Sequence, residues 1–446
     1  MIQLKPSLDN IFICPECQAE KPFVHDVLFL SMHVMADCTC RHCNFQFLQT
    51  LPVGHNESHV ISVGKGNHKV YEPTAESSWM ASTFLPLTDQ TGEIKVRKIV
   101  YRECREVIVL NTLDFLYGHT LLKLYNALHH LDRDQQFGLV VIVPSSFEWL
   151  IPDGCAEAWL VDCKLSRFRQ LNEHLASFVS NELRRFDKVL LSPAHSHPDV
   201  ANVDISRLTR IKPFDISRWS DAPPTITFVL REDRWWFGYR LDYWIYRIAR
   251  RLRFPPVLVR ALAARQNRLV RKTIHGLKKK IPGVRIIVTG LGNTGTFEKM
   301  ATDLRRSTID RSVEIGWCKT YAQSHLVIGL HGSNMLLPTA HAAGALEILP
   351  EDRFGNIGQD ISVRYQDRRQ LFLYRFLEQY AHPDRVATIA AAMIRDFPTF
   401  QRNMCDNTYN NVEKSVTGTT TVPNEHEEYH AAASVISPNL GSEQNK

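Results

Sequence analysis

The sequence has no run of about 18 or more apolar residues, the length that a helix needs to cross a bilayer, although 44% of its 446 residues are hydrophobic. Its first residues also lack the basic and then apolar pattern of a secretory signal peptide. A Gly-Lys phosphate-binding loop of the Walker type is missing as well. These absences predict a cytoplasmic protein without a transmembrane helix, and the length suits two α/β domains with an accessory module.

Four of the ten cysteines form two close pairs. Cys14-Pro-Glu-Cys17 and Cys40-Arg-His-Cys43 give the spacing C-x2-C-x22-C-x2-C. Two thiolates separated by two residues bind one Zn²⁺ from a single turn, and two such turns close a tetrahedral site. We therefore expect a zinc-ribbon-like module over 1–50 with a structural zinc ion on these four residues. A site with four thiolates leaves no open position for catalysis.

Other ligand sets for this site stay open in the sequence. Cys38 is a spare thiol that could replace Cys40, and a histidine at position 25, 33 or 42 could replace a thiolate. The alternative without metal is four reduced cysteines in a core.

Patterns typical of strands and helices alternate along most of the chain. From residue 105, short apolar runs alternate with amphipathic segments, which is typical of a parallel sheet covered by helices. Two prolines at 223–224 mark a boundary before a second alternating set. We predict an α/β protein with two Rossmann-like doubly wound domains after the zinc module. The predicted segments are a linker with short strands (51–104), an N-terminal domain (105–222), a C-terminal domain (223–400) and a disordered tail (406–446).

A polar turn follows an apolar run in the second domain. The run over 326–330 reads as a buried parallel strand, and His331-Gly332-Ser333-Asn334 then turns the chain. Gly332 permits close backbone approach, and Ser333 or Asn334 suits a helix N-cap. A strand, a tight turn and a helix N-terminus form an anion site, because free N–H groups and the helix dipole converge there.

The segment after this turn carries a second polar signal. We expect the helix to run to about Ala343 and to end at Gly344, before a strand over 345–349. Glu347 lies inside that apolar strand. A buried carboxylate and the ring of His331 are both costly unless they bind something, although an ordinary βαβ unit remains the alternative.

The segment 231–272 is strongly basic, with twelve Arg or Lys and three acidic residues. Four aromatic residues in it fall at helical spacing: Trp236, Tyr239, Tyr243 and Tyr246. A basic helical stretch over 233–272 with an aromatic stripe suits an anionic membrane surface. The alternatives are a stripe that packs on the second domain and, less favoured, contact with RNA.

Three segments together resemble glycosyltransferase family 61 proteins. They are Tyr117-Gly-His119 with Leu121-Leu-Lys-Leu124, then Leu230-Arg-Glu-Asp-Arg234, then Leu330-His-Gly332 through Glu347-Ile-Leu-Pro350. The resemblance covers about 107–350. It implies a GT-B fold and inverting transfer of a sugar from a nucleotide-diphosphate donor, with no catalytic metal expected.

The resemblance implies a base on the acceptor side. His119 would take the proton of the acceptor hydroxyl, a task suited to an imidazole. Asp114 would orient His119 or act as the base itself. The alternative is that His119 only caps its helix.

On the donor side, the resemblance implies contacts to the sugar nucleotide. Arg231 and Arg234 would bind the diphosphate, unless they are solvated charges of the basic stretch. The turn over 331–334 would complete the phosphate cradle. Glu347 would accept hydrogen bonds from ribose hydroxyls or stay a structural carboxylate. Ser333 and Asn334-Met335 depart from the smaller residues of the family pattern, which leaves the nucleotide open.

The sequence therefore predicts a cytoplasmic glycosyltransferase with peripheral contact to the inner membrane leaflet. Its acceptor would be a glycan, a lipid-linked molecule or a protein. The alternative is a non-enzymatic zinc-ribbon protein that binds nucleic acid or membrane, although nucleic acid is not expected as a partner.

Overall fold

The computed structural model of the chain describes residues 1–8, 12–55, 59–62, 70–71, 94–201, 203–253 and 255–405. The tail expected over 406–446 and most of the expected linker lie outside these ranges. Within them, no helix is long and apolar enough to cross a membrane.

The described residues form strands, α-helices and short 3-10 helices. The strands are β1 (Ile2–Lys5), β2 (Phe23–Leu30), β3 (His33–Thr39), β4 (Gln46–Thr50), β5 (Val60–Ser62), β6 (Val70–Tyr71), β7 (Lys95–Val100), β8 (Glu106–Asn111), β9 (Gly138–Pro144), β10 (Glu157–Asp162), β11 (Lys188–Leu191), β12 (Thr225–Arg231), β13 (Arg285–Leu291), β14 (Thr302–Asp303), β15 (Leu326–Leu330), β16 (Gly344–Leu349) and β17 (Tyr374–Glu378). The helices are α1 (Tyr117–Arg133), α2 (Glu173–Leu183), α3 (Ser206–Thr209), α4 (Arg240–Arg251), α5 (Pro256–Lys280), α6 (Arg311–Tyr321), α7 (Leu336–His341), α8 (Arg368–Leu373) and α9 (Pro383–Cys405). The 3-10 helices are Ser145–Leu150, Leu165–Arg169, Ile216–Arg218, Ser333–Met335 and Glu351–Asn356.

The first sheet has the strand order β1-β11-β8-β9-β10-β7. Its four inner strands are parallel, and the edge strands β1 and β7 are antiparallel to their neighbours. The chain order reverses between β8 and β11. The carboxyl ends of these two strands therefore flank a crevice of the kind in which open α/β sheets bind ligands.

The second sheet has the order β14-β13-β12-β15-β16-β17, and all its strand pairs are parallel. Counted from β12, this is the doubly wound order 3-2-1-4-5-6. The order reverses between β12 and β15, so Arg231 and the turn at 331–334 lie on the two sides of this reversal. The predicted α/β fold with parallel sheets is confirmed.

The third sheet is antiparallel, with the order β2-β3-β4-β5-β6. It extends beyond the boundary expected at residue 50, and β1 belongs to the first sheet instead. Phe29, Val34 and Phe47 share one core with Val140 and Trp159 of the first sheet. The Asn111 side chain also donates to the carbonyl of Ser31 in the β2–β3 turn, at 3.0 Å. The cysteine-bearing sheet is thus joined to the first α/β domain because both bury apolar faces together.

Two predicted helices have different bounds. The turn at 331–334 leads into a 3-10 helix and the six-residue α7, and Ala342 is already extended. This helix ends earlier than expected because the amide of Ala343 bonds to the carbonyl of Ser324 as the chain enters β16. In the basic stretch, α4 begins only at Arg240, and α5 begins at Pro256, where proline suits the first helical position.

Three of the four residues of the predicted aromatic stripe, Trp236, Tyr243 and Tyr246, pack inward, whereas Tyr239 is 54% exposed. Trp236 precedes α4, is buried, and donates its indole N–H to the carbonyl of Ala381 at 2.9 Å. Tyr243 and Tyr246 pack with Trp235 and Phe237 in one cluster. These three residues therefore pack on the second domain, as in the alternative that the sequence left open. The membrane contact predicted for 233–272 stays a prediction.

A buried carboxylate joins the two α/β domains. Glu314 of α6 accepts hydrogen bonds from Tyr117 Oη at 2.6 Å and from Trp149 Nε1 at 3.2 Å. Burial raises the pKa of Glu314, against the lowering effect of these two donors. Both donors belong to the first domain, so the hydrogen bonds hold α6 against the N-terminus of α1.

We expect Tyr117→Phe to lower the free energy of unfolding by about 1–3 kcal/mol, because the substitution leaves a buried carboxylate oxygen without its donor. Urea unfolding followed by tryptophan fluorescence measures the change. Tyr101→Phe is the control, since Tyr101 is exposed and should change the value by less than about 0.5 kcal/mol. Equal values for both variants would contradict a stabilising role for the Tyr117–Glu314 bond.

Candidate active site

The carboxyl ends of the two parallel sheets meet at one cleft. Gly118, at the start of α1, lies so close to Ser333 that a Cβ at position 118 would come within 2.4 Å of the Ser333 Cβ. A glycine is therefore needed for this approach. A cavity of about 170 Å³ opens beside it. Residues of both domains line it, including Tyr117, Arg231, Glu314, Trp317, Ser333 and Asn334.

A buried ion pair lies under the first-domain wall of the cleft. Asp114 follows β8, and its Oδ2 accepts a hydrogen bond from Lys123 Nζ at 2.9 Å. Both side chains are almost fully buried, and Lys123 also donates to the carbonyl of Leu113. Burial alone would raise the pKa of Asp114, but Lys123 and His119 hold it well below its usual range. Sequence reasoning missed Lys123. A lysine within the apolar run Leu121-Leu-Lys-Leu124 could have been recognised, because a buried lysine needs an acidic partner.

His119 lies on the first turn of α1 with its ring against this pair. Its Nδ1 is 3.5 Å from Asp114 Oδ1, and 18% of its side chain is exposed. The N-cap of α1 is Leu116, so the helix-cap alternative for His119 does not describe this geometry. Asp114 is in position to orient His119. The second role considered for Asp114, as the base itself, does not fit, because a buried carboxylate held by Lys123 cannot reach an acceptor.

Further histidines surround His119, and sequence reasoning missed them because they come from distant segments. The His55 and His119 ring centroids are 4.7 Å apart, and those of His119 and His197 are 5.3 Å apart. Burial lowers the pKa of His55 to about 3 and that of His33 to about 3, and the positive charge of Lys123 adds to both effects. These two rings are therefore neutral at physiological pH.

One oxygen of Asp114 and one ring nitrogen each of His55 and His119 lie within 4.8 Å of one another. Such a group could hold a metal ion. However, the Lys123 ammonium already binds Asp114 at 2.9 Å, and a second cation beside it would be repelled. The geometry favours a proton-handling role for these residues over a metal site.

Three arginines converge on the second-domain wall of the cleft. Burial lowers the pKa of Arg234, and the positive charges of Arg231 and Arg353 lower it further. Arg231 donates to Asp233, with Nε–Oδ1 at 2.7 Å. Arg353 did not enter the sequence-based site, because it lies beyond the segments with a motif. Clustered guanidinium groups of this kind suit an anionic ligand.

Gly332 makes room for one of these arginines. Arg234 Nη1 donates to the carbonyl of His331 at 3.1 Å, and a Cβ at position 332 would lie 1.9 Å from Nη1. Gly332 also has a φ of 145°, which L side chains rarely adopt. The lack of space for a Cβ and the backbone conformation therefore both require glycine at position 332.

His331 and Glu347 are buried together behind the turn. His331 Nε2 faces the carbonyl of Asn356 at 3.1 Å, so this nitrogen carries a proton. Nδ1 is 2.6 Å from Glu347 Oε2 and shares a second proton with it. Although burial opposes it, the hydrogen bond to Glu347 raises the pKa of His331. Neither side chain has exposed surface, so the ribose contact considered for Glu347 does not fit, and its structural role does.

The turn itself presents Ser333 and Asn334 to the cleft. Ser333 lines the cavity beside Gly118. Asn334 Oδ1 is buried and has no hydrogen-bond partner among the described residues, and its amide donates weakly to the carbonyl of Leu330. Because α7 has only six residues, the helix dipole expected here is smaller than the sequence suggested. The arginines are therefore the main positive groups on this wall.

The four predicted cysteine ligands come together away from the cleft. The Cys14 and Cys43 sulfurs are 3.6 Å apart, and those of Cys17 and Cys40 are 3.5 Å apart. Tetrahedral zinc, with Zn–S bonds of about 2.3 Å, separates its sulfurs by about 3.8 Å. The geometry is therefore compatible with zinc.

The two cysteine turns also have matching backbones. The amides of Gln18 and Asn44 bond to the carbonyls of Cys14 and Cys40, and both Gln18 and Asn44 have a φ of 58°. The amides of Cys43 and His42 reach Cys40 Sγ, and these bonds lower the pKa of Cys40 to about 6. A lowered thiol pKa favours the thiolate that binds metal. Although backbone hydrogen bonds oppose it, desolvation and the neighbouring thiols raise the pKa of Cys17 and of Cys43, so Cys40 ionises before these two.

The alternative ligands lie elsewhere. The group within metal-binding distance, among the described residues, contains Cys14, Cys17, Cys40 and Cys43 and no histidine. Cys38 points into the core, where burial raises its pKa to about 12. His25 bonds instead to Thr39 at 2.8 Å.

No family model matches the sequence, and no curated protein matches it either. Among solved structures, E. coli heptosyltransferase WaaC with ADP is 9% identical, with a TM-score of 0.33 over 67% of this chain and 98% of that one. The structure of TarM is 10% identical, with a TM-score of 0.23 over 93% and 78% of the two chains. The GtfA/B complex is 10% identical, with a TM-score of 0.21 over 86% and 75%. At these scores the likenesses carry no argument, and the function is argued from the geometry of the site alone.

Zinc content tests the cysteine cluster. We expect the purified protein to contain about one zinc per chain by elemental analysis, and Cys17→Ser to lose it. Cys38→Ser is the matched control and should retain the metal, because Cys38 is outside the cluster. Zinc in both variants, or in neither, would contradict the four-ligand assignment.

The neutral buried histidines predict a loss of stability in acid. The pKa of His33 is lowered to about 3 from an unfolded value of about 6.5. The unfolded chain therefore binds the extra proton first, and the free energy of unfolding falls as the pH drops below about 6.5, by up to about 1.4 kcal/mol per pH unit for this residue.

Urea unfolding between about pH 7 and pH 4.5 measures this slope. His33→Gln should make the slope smaller, whatever it does to the stability at neutral pH. His174→Gln, which changes an exposed histidine, should leave the slope as it is. An unchanged slope in His33→Gln would show that this ring binds its proton equally well in the native and the unfolded protein.

Proposed function

We propose that this protein is an inverting glycosyltransferase of GT-B architecture that uses a nucleoside-diphosphate sugar as donor. One observation carries the proposal. His119, beside Asp114, follows Gly118, and Gly118 packs against Ser333 in the turn that anchors Arg234. Arg231 and Arg353 place two further positive charges beside Arg234. Each wall lies where the strand order of its parallel sheet reverses, which is where α/β proteins bind ligands.

The two walls suit the two halves of the transfer. The acceptor hydroxyl would attack C1 of the sugar as His119 takes its proton. The bond between C1 and the diphosphate oxygen breaks, and its electron pair stays on the leaving diphosphate. Arg231 and Arg234 would stabilise that growing negative charge. Because attack and departure occur on opposite faces of C1, the configuration inverts.

Asp114 and Lys123 would support the base without touching substrate. Asp114 stabilises the imidazolium that forms on His119, and Lys123 keeps Asp114 ionised. The transfer needs no metal in this scheme. The cleft residues named in the family 61 resemblance are His119, Arg231, Arg234 and the turn at 331–334, so the resemblance and the geometry support the same roles.

Structural zinc on Cys14, Cys17, Cys40 and Cys43 is part of the proposal. The cluster lies away from the cleft, and four thiolates leave no position for substrate. Its sheet nevertheless reaches the first-domain wall, because His33 of β3 lies near Asp114 and Lys123. The loop after β4 carries His55, whose ring packs against His119. The proposed acceptor is a glycan, a lipid-linked molecule or a protein in the cytoplasm.

Nucleotide-dependent thermal stabilisation tests the donor site. We expect one of UDP, GDP, ADP and CDP to raise the melting temperature by a few degrees at saturating concentration, because the ligand binds only the native state. Arg234→Ala should remove most of this shift. Arg218→Ala is the control, since Arg218 pairs with Asp221 at the surface. If none of the nucleotides raises the melting temperature, or if Arg234→Ala keeps the full shift, the result would count against the donor site.

His119→Gln separates binding from chemistry. This variant should keep the nucleotide-dependent shift, because His119 is on the acceptor wall, and should lose at least about 100-fold in the release of nucleotide from its sugar donor. Turnover close to that of the unmodified protein would remove His119 from the mechanism.

A further inference from the structure

The outward face of α4 carries an apolar stripe that no described part of the chain covers. Four large side chains at helical spacing are more than half exposed: Leu241 (63%), Trp244 (57%), Ile248 (53%) and Leu252 (59%). Val257, in the first turn of α5, is 74% exposed as well. Single exposed apolar residues are normal on proteins, but a contiguous row on one helix marks an interaction surface.

Arginines occupy the side of α4 next to this stripe. At 100° per residue, Arg240, Arg247 and Arg251 fall within about 40° of one another, beside Trp244. Arg247 lies over the Trp244 ring at 4.9 Å. Arg250 and Arg253 are also exposed.

The acidic residue of α4 does not offset these charges on the outside. Asp242 is buried, accepts from the amide of Tyr239, and pairs with Arg265 of α5. The outward surface of α4 therefore combines an apolar row with charged side chains that are all positive.

We propose that the outward face of α4 docks this protein onto an anionic membrane surface. The occupant is chosen by complementarity of charge and of polarity. A helix with a row of Leu, Ile and Trp beside a row of arginines lies in the interface of a bilayer, with its apolar side chains among the acyl chains and its arginines at acidic headgroups. A second copy of the same face would bring the arginine rows together, which like-charge repulsion opposes.

The position of α4 gives this docking a direction. The chain passes from Arg231 and Arg234, on the cleft wall, to the first residue of α4 within ten positions. Phe237, just before the helix, donates its amide to the carbonyl of Gln379 at the carboxyl end of β17, so the helix starts at the same edge of the second sheet as the cleft. Docking by α4 would hold this edge close to the headgroups, and this holds whether or not the cleft transfers a sugar.

Co-sedimentation with vesicles tests the proposal on the full chain. Vesicles of phosphatidylcholine and phosphatidylglycerol in a three-to-one ratio should retain the protein, and vesicles of phosphatidylcholine alone should retain much less. Trp244→Ser should reduce binding to the anionic vesicles at least about fivefold, because a deeply inserted ring is lost. Leu371→Ser, which changes a leucine of 73% exposure on α8, should leave binding unchanged.

A charge-matched pair of variants tests the arginines. Arg247→Gln with Arg251→Gln should reduce binding at least about tenfold, since each cation near an anionic surface contributes about fivefold. Lys278→Gln with Lys279→Gln removes the same charge from the other end of the 25-residue α5 and should have little effect. Circular dichroism confirms that each variant is folded.

Three outcomes would overturn the proposal. One is equal retention by neutral and anionic vesicles. Another is retention on RNA, lost in the arginine variant, with no vesicle binding. The third is a dimer in solution that Trp244→Ser converts to a monomer. None of these readouts depends on a nucleotide, so failure here is distinct from failure of the transferase proposal.

Discussion

The buried ion pair between Asp114 and Lys123 determines the geometry of the cleft. Burying one charge alone would cost several kcal/mol, so each partner is held where the other needs it. Asp114 follows β8 and Lys123 lies two turns into α1, and the pair therefore fixes the start of α1 against the sheet. His119 lies between them in sequence, so the ion pair also fixes its place on the first turn of α1. Gly118 then permits the second domain to approach this helix end.

The opposite wall of the cleft has an excess of positive charge. Arg231, Arg234 and Arg353 are close enough for their charges to interact, and burial together with the two neighbouring charges lowers the pKa of Arg234. Asp233, which pairs with Arg231, and Asp360 offset part of this repulsion. Such an arrangement is held in place by folding, since Arg234 is anchored on the His331 carbonyl. An arriving anion would relieve the repulsion, so the wall is prepared for its ligand before binding.

Much of the fold could be predicted from the sequence, because apolar runs bounded by prolines and glycines determine parallel strands locally. The run at 326–330 and the polar turn after it are of this kind, and so is the cysteine spacing. Contacts between distant segments could not be predicted. Lys123, His55, His197 and Arg353 enter the site only through tertiary packing. The orientation of the aromatic residues in the basic stretch stayed open for a related reason: spacing defines a helix face, but the neighbouring elements decide whether that face is inside or outside.

The hydrogen bond from Asn111 to Ser31 joins the cysteine-bearing sheet to the end of β8. Asn111 lies three residues before Asp114, so the hairpin of β2 and β3 is a brace for the strand end that carries the ion pair. The contact between this hairpin and β8 therefore depends on the folding of the cysteine-bearing sheet. With zinc on the cysteine cluster, as proposed, the order at the end of β8 would depend on metal binding more than 60 residues earlier in the chain.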